Sequence, residues 1–477
     1  MHVIFRESHG LDEADTPQDL RQTPADLVVL SLSDSDLGAF ASGWRRAKAT
    51  AGADMPSLRL ANLVALKHPL SVDTYIDNTL HAARGILIRL IGGVPYWPYG
   101  LQSVAALARE KGIALAILPA DGRQDTQLDE LSTLPISTLR RLGDLCATGG
   151  PVAAHAALAQ LALAAGLYAT PVLGDKALPI YGFWSPKQGL TSPLTTETTE
   201  TTETTETTET TETTETTEHA APRLAITFYR SFLSAGDTSP IQALFDAFEQ
   251  RGFDVYGLFI PSLKAPEAAK WLVQQLHALA PDAIVNATSF SGKGKDGTSP
   301  LDVAGVPVFQ VALATSTRSA WAEADRGLSP SDLAMHVVLP EVDGRLFSGV
   351  VSFKEPDARD PDLQYARYAH NAHPTRLAAA VDKVAAWVTL AKKTPADKRI
   401  AMILSTYPGK SWQMAHAVGL DALGSAEALL QDLDGAGYHV TAGVPLEQAL
   451  SRETVTWPLD QYLEELQNLP ANLQADL

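Results

Sequence analysis

The sequence predicts an α/β fold: several Rossmann-like parallel-sheet modules joined in one multidomain chain, the last of them incomplete. Three observations point there. Short apolar runs alternate with amphipathic stretches along most of the 477 residues. Successive runs are separated by helix-length segments, the spacing of parallel crossovers rather than hairpins. One block without apolar residues, eight copies of Thr-Thr-Glu from Thr195 to Glu218, interrupts the alternation.

In chain order, residues 25–32 read as a strand and residues 35–49 as the helix after it. Residues 84–90 (Arg-Gly-Ile-Leu-Ile-Arg-Leu) form the next strand, residues 101–111 a helix closed by Gly112, and residues 113–118 a further strand, together a βαβ unit. The Ala/Leu-rich residues 152–167, opened by Pro151, read as a buried helix. The Thr-Thr-Glu block has no face to bury, so nothing offsets its ordering entropy, and it reads as a disordered linker. Beyond it the alternation restarts: strand 224–229, helix 241–250, strand 255–260, helix 266–279, strand 283–286, strand 306–313, and a long helix over 376–393. A strand at 399–404, a helix at 425–434 ended by Gly435 and Gly437, and an apolar stretch at 438–440 begin a third module. The expected organisation is therefore an α/β domain over 1–190, a linker over 191–221, a second α/β region over 222–395 and a truncated third module over 396–477.

The apolar fraction of 45% supports more than one core. A net charge of −18 disfavours nucleic acid and anionic membrane as partners. No apolar run has the length of a membrane span, and the first residues lack the basic-then-apolar order of a signal peptide, so a cytoplasmic location is expected. Cys146 is the single cysteine and reads as a buried thiol.

The motifs that carry chemistry are sparse. Gly292-Lys293-Gly294-Lys295-Asp296-Gly297 fits the dinucleotide fingerprint in letters, yet only one or two helical turns fit between Ser299-Pro300 and the strand at Val306. A βα loop whose lysines meet a ligand carboxylate fits better. Neither a phosphate loop nor a His-Glu-x-x-His sequence is present. His370 and His373 precede Pro374, which stops a helix there, and read as an exposed, non-ligating pair. His336 lies in the apolar run 335–339 and reads as a satisfied core or strand histidine. In Pro340-Glu341-Val342-Asp343-Gly344-Arg345 two carboxylates and a guanidinium crowd what reads as a turn between strand-like runs. A turn held by an Asp343–Arg345 ion pair is one reading. The other is a base or transient metal site at Glu341 and Asp343, since metal insertion into a tetrapyrrole must remove pyrrolic protons.

Taken together, residues 84–93 with Tyr96-Trp97 and Tyr99-Gly100, Tyr229-Arg230-Ser231 with residues 235–238, residues 286–288, 296–302 and 307–310, Pro340-Glu341-Val342-Asp343-Gly344-Arg345, and Tyr407-Pro408 with residues 418–421 resemble, in order, the large CobN-type subunit of aerobic ATP-dependent cobaltochelatase. The magnesium chelatase H subunit is a more distant resemblance, and a non-catalytic tetrapyrrole- or partner-binding module is the alternative from another class. The resemblance implies a ligase that inserts Co2+, its substrate ion, into hydrogenobyrinic acid a,c-diamide in cobalamin biosynthesis. It also implies that ATP and Mg2+ are used by partner subunits, an AAA+ ATPase and a subunit with an adhesion-type domain, so that the isolated chain is inactive. Glu341 is the expected catalytic residue, Glu341 and Asp343 the expected metal ligands, and Tyr229, Arg230, Lys293 and Arg345 the expected substrate contacts. Three departures stand out: the shorter length, the Thr-Thr-Glu insertion, and Thr406 and His416 in place of asparagines.

Because the repeat carries no apolar side chain, deleting Thr195 to Glu218 is expected to move the thermal midpoint by less than about 2 °C. Calorimetry of the deletion variant checks this, and a drop of several degrees would show that the repeat is packed.

Overall fold

Parallel sheets need cover on both faces, and the first strands are buried at nearly every position. β1 (Leu27–Ser31) leads into α1 (Asp34–Ala51), β2 (Leu58–Asn62), α2 (Pro69–Asn78), β3 (Gly85–Leu90), α3 (Pro98–Lys111) and β4 (Ala114–Pro119). All neighbours pair in parallel, in the order β2-β1-β3-β4. Leu27, Val29, Leu87 and Leu118 point into one core, with α1 and with α6 (Gly150–Ala164), which follows α4 (Thr126–Leu131) and α5 (Ile136–Thr148). The intervening Val28, Leu30, Ile86, Ile88 and Ile117 point into the other, with α2 and α3. That alternation between two cores is why these strands read as continuous hydrophobic runs. Gly112 ends α3 at φ 68°, a left-handed cap. Gly43 lets α1 approach α6: an added Cβ would lie 2.7 Å from the His155 amide nitrogen.

The computed structural model describes residues 16–51, 55–120, 124–168, 178–191, 221–294, 297–404, 419–441, 443–452 and 456–476. The Thr-Thr-Glu block, Lys295, Asp296, Thr406, Tyr407, Pro408 and His416 lie outside them. By contact density the chain divides into two units, Met1–Ala386 and Trp387–Leu477.

The second sheet, also in the first unit, contains β5 (Gly182–Ser185), β6 (Gly189–Thr191), β7 (Arg223–Tyr229), β8 (Asp254–Ile260), β9 (Ala283–Asn286), β10 (Val308–Leu313), β11 (Leu346–Pro356) and β12 (Tyr368–Ala372). Their order is β12-β11-β10-β9-β7-β8-β5-β6, parallel from β11 to β8 and antiparallel at both edges. The helices between are α7 (Arg230–Ala235), α8 (Ser239–Glu249), α9 (Pro266–Leu279), α10 (Arg318–Glu323), α11 (Pro330–Leu333) and α12 (Leu339–Val342), and α13 (Pro374–Lys392) follows β12. The β5–β6 hairpin precedes the Thr-Thr-Glu block in sequence yet completes the sheet formed after it. Trp184 stacks edge-on against Phe228 and Phe245, and Phe183 against Trp271, covering what is otherwise an open edge at β8.

Two expectations fail here. Residues 335–339 are helical: Ser329 accepts from the Asp332 amide and Pro330 opens α11, so the chain runs through a π turn, Ala334–Val338, into α12. The segment 340–345 is accordingly a helix end leading into β11, not a turn between strands. In the second unit the described residues form α14 (Ala422–Gly435), α15 (Leu446–Arg452), α16 (Leu459–Asn468) and α17 (Ala471–Asp476). The expected strand at 399–404 has no ladder partner among the described residues, and Ile403 is 90% exposed. A lone strand gains no hydrogen bonds over solvent, so apolar composition alone does not extend it.

The two sheets are tied by charge. Lys354 on β11 reaches Asp34 at the start of α1 at 2.8 Å, with side chains 8% and 12% exposed, and Asn62 also donates to Asp34 at 2.7 Å. The loop before β12 adds ion pairs from Asp360 to Arg45 and from Asp362 to Lys48. Removing one member of a buried pair strands the other, so Asp34→Asn is expected to cost about 3–5 kcal/mol, much of it recovered by the double change with Lys354→Met. Urea unfolding measures both, and a loss under about 1 kcal/mol for Asp34→Asn would mean the pair is hydrated and weak.

Candidate functional site

Where the strand order of an open parallel sheet reverses, the loops on either side diverge and leave a crevice at the carboxyl ends of the strands. In the first sheet the reversal falls between β1 and β3, in the second between β7 and β9. Both crevices are occupied by cavities. One of about 210 Å³ is lined by Asp36, Arg89, Cys146, Arg230, Ser231 and Ser234, and one of about 50 Å³ by Tyr229, Asp237, Ser289, His336, Lys354 and His370. Ser35 and Ser231 border both, so the two crevices adjoin. A larger cavity of about 660 Å³ beyond β2 has its polar groups occupied in joining the sheets: Gln22 bonds to the Leu60 and Gln364 carbonyls and Arg359 to those of Leu20 and Arg21.

The first crevice is built on a buried guanidinium. Arg89, at the end of β3, donates to Asp36 at 2.6 Å, and Asp36 also accepts from Ser31 at 3.0 Å. Burial works against the charge of Arg89, but Asp36 and then Cys146 outweigh it and leave its pKa raised. Its Nε is buried without a hydrogen-bond partner. Burial pushes the Cys146 thiol up to about 11, so it stays protonated. Arg230 donates to the carbonyls of Pro179 and Leu178, each at 2.8 Å, and to that of Thr148; burial lowers its pKa.

The second crevice concentrates buried titratable groups. Tyr229 donates to the Ser289 carbonyl at 2.6 Å and accepts from the Ser289 amide at 3.1 Å, and burial raises its pKa. Asp237 accepts from the His370 amide at 3.0 Å, and burial raises its carboxyl. His370 lies on β12 with Nδ1 3.3 Å from the Ser352 hydroxyl and Nε2 unpartnered; burial, then Lys354 and His336, hold it well below the usual histidine range. His336 sits on the π turn, its Nε2 3.9 Å from Asp332 and its Nδ1 unpartnered, and burial lowers it against the pull of Asp332. One Asp332 oxygen accepts from the Thr315 amide at 2.9 Å while the other has no hydrogen-bond partner. Among the described residues no three His, Cys, Asp or Glu side chains converge to hold a metal ion.

The sequence-derived site residues fall into two groups. Tyr229 and Arg230 are brought to the crevices, one to each. The others gather at the end of α12: Asp343 accepts from the Ser291 hydroxyl at 2.7 Å and the Gly292 amide at 2.6 Å, while Lys293 donates to the Val342 carbonyl at 3.0 Å. The expected Asp343–Arg345 pair does not form, because Arg345 turns to Asp302 at 2.6 Å and the loop after β9 gives each Asp343 oxygen one donor. Glu341 is exposed on α12 and lines neither crevice. Residues 297–299 lead into a short 3-10 turn, Pro300–Ala304, rather than a dinucleotide-binding helix. His336 and His370 differ from the expectation: the first is buried but has Nδ1 unsatisfied, and the second is buried on a strand rather than exposed.

Comparison with known proteins bears on the whole chain. A family model described as CobN/Magnesium Chelatase matches residues 158–477. The chain belongs to this family. It is 32% identical over 445 residues, 92% of its length, to the aerobic cobaltochelatase subunit CobN of a Sinorhizobium species, and 32% identical over 453 residues to that of Pseudomonas aeruginosa. It spans 34% of either relative, about a third of their length. The chloroplastic magnesium-chelatase subunit ChlH of rice is 25% identical over 49% of this chain. The solved catalytic subunit of cobaltochelatase from Mycobacterium tuberculosis superposes with a TM-score of 0.61 at 26% identity, over 94% of this chain and 35% of that one. Among the described residues of this family member no helix is long and apolar enough to cross a membrane.

The buried imidazoles have a consequence for stability. A histidine whose folded pKa lies below its unfolded value of 6.5 lets the unfolded chain take up its proton first as pH falls. Stability is then full above that value and declines below it, towards the folded-state pKa. The thermal midpoint is expected to fall between about pH 7 and pH 5, and to fall less steeply in His370→Gln. Equal slopes in a pH series of thermal melts would assign the loss to other groups.

Proposed function

We propose that the chain is the amino-terminal portion of a cobaltochelatase large subunit that inserts Co2+ into hydrogenobyrinic acid a,c-diamide. One observation carries this reading: similarity to CobN subunits extends over 92% of the chain at 32% identity, against 49% at 25% for ChlH. In this reading ATP and Mg2+ are consumed by an AAA+ subunit and a subunit with an adhesion-type domain, in the cytoplasm, and the missing phosphate loop agrees with that division.

Insertion requires a desolvated ion and removal of the pyrrolic protons. A carboxylate serves both needs, because it binds a hydrated divalent ion without the tight hold of thiolates. Glu341 is the proposed base and metal carrier: it is exposed on α12, where an approaching substrate reaches it. Asp343 is the proposed second metal contact, acting while it braces the loop at Ser291 and Gly292. Lys293 and Arg345 flank this helix end, and Tyr229 and Arg230 the crevices, as the proposed contacts to the substrate's acidic periphery. Both crevice cavities are below the roughly 300–1,000 Å³ that encloses a sizeable ligand, so the macrocycle rests outside them.

The test is Glu341→Gln in a complete subunit assembled with its partners, because the change keeps size and removes charge. Cobalt insertion is expected to fall on the order of 100-fold with tetrapyrrole affinity nearly unchanged. Insertion at the parent rate removes Glu341 from the chemistry, and magnesium insertion into a porphyrin instead of cobalt insertion would favour the H-type subunit.

A further inference from the structure

The crevice of the first sheet has more positive charge than its own residues neutralise. Two guanidiniums, Arg89 and Arg230, line it against the single carboxylate of Asp36, and Cys146 beside them stays protonated. Arg230 is desolvated while donating only to carbonyl oxygens, which carry no full charge. Arg89 is 6% exposed, and its Nε has no partner although Asp36 occupies Nη1. A buried guanidinium edge left open is costly unless an acceptor arrives. The hydroxyls of Ser35, Ser231 and Ser234 supply further donors around the same space. Arg89 belongs to the segment 84–93 and Arg230 to Tyr229-Arg230-Ser231, two separate stretches that carry the family resemblance, and the fold brings them to one cavity.

We propose that this crevice is an anion subsite that takes one carboxylate side arm of an acidic macrocycle. Its volume of about 210 Å³ admits an arm of a few carbons with its carboxylate and excludes the ring. A carboxylate there meets the open edge of Arg89 with geometry a guanidinium favours, and the serine hydroxyls take its remaining lone pairs. The subsite lies where open parallel sheets hold ligands, beside the first turn of an 18-residue helix whose amide dipoles also favour an anion. Its function is positional: it anchors the rim of the macrocycle while the reacting centre stays outside the crevice. The identity of the macrocycle rests on the chelatase reading; the anion subsite itself does not.

The experiment introduces a competing carboxylate without touching the arginines. Ser35→Glu adds a negative charge in the first turn of α1, where it is compatible with the helix, and Ser35→Gln controls for size. Isothermal titration of the full chain with hydrogenobyrinic acid a,c-diamide is expected to show affinity about tenfold or more lower for Ser35→Glu than for Ser35→Gln, which lacks the same hydroxyl but carries no charge, the worth of one charge-assisted hydrogen bond. With the fully esterified macrocycle the two variants should bind alike. Equal affinity of parent and Ser35→Glu for the acid form, with both folded by circular dichroism, overturns the subsite. If the parent binds no tetrapyrrole, the chelatase reading fails and succinate becomes the probe. Succinate binding weakened by Ser35→Glu then sustains the anion subsite, and absence of succinate binding overturns it.

Discussion

Each sheet reverses its direction of winding once, and the crevice left by that reversal is the constraint around which the first unit is arranged. A helix covers the loops on each side of a parallel sheet but none crosses the point of reversal, so the carboxyl ends of β1 and β3, and of β7 and β9, remain open. Here the two openings adjoin, with Ser35 and Ser231 on the rims of both. What keeps them in register is the buried contact of Lys354 with Asp34, which joins a strand of one sheet to the helix that opens beside the crevice of the other.

A polar ladder inside the sheet runs through residues adjacent in sequence to Ala287 and Ser289, which line the second crevice. Thr227 donates to Asn286, Asn286 to Gln310 and Gln310 to the Thr288 carbonyl, each at 2.7–2.8 Å and all essentially inaccessible to solvent. Such a chain is fully satisfied and therefore specifies a single arrangement of β7, β9 and β10. Next to the crevice the rule is broken: His336, His370 and Asp332 each carry a buried atom without a partner. Satisfied polar groups in the sheet and unsatisfied ones at the crevice is the pattern of a rigid support holding a site whose own groups wait for a ligand or water.

Charge is treated differently in the two crevices. Beside β7 and β9 burial holds the imidazoles of His336 and His370 below the usual histidine range and raises the Asp237 carboxyl. Beside β1 and β3 the guanidinium of Arg89 holds its proton and is compensated by Asp36. The two crevices thus differ in kind: one gathers groups whose neutral forms burial favours, the other a guanidinium that keeps its charge.

Apolar periodicity and helix-stop residues located β1, β3, β4 and β7 to β10 in the first unit, with α1, α3, α6, α8, α9 and α13, because each rests on local physics: α9 and β9 fall at the expected residues, and Gly112 and Pro151 mark helix ends as read. Pattern failed where a partner decides. Residues 399–404 are apolar enough for a strand but have no described neighbour to pair with, and residues 335–339 are equally apolar yet continue a helix capped at Ser329. The same limit governs the site. Tyr229, Arg230, Glu341 and Asp343 could be singled out along the chain as candidates, but where the fold groups them could not. Asp343 and Arg345, two apart in sequence, turn to different partners, while Arg89 and Arg230, 141 positions apart by their numbers, share a cavity. Sequence by itself determined which segments bury which faces, since that depends on spacing along the chain. Only the tertiary structure decided which side chains meet, because the winding of the sheets brings together residues whose separation in sequence carries no signal of contact.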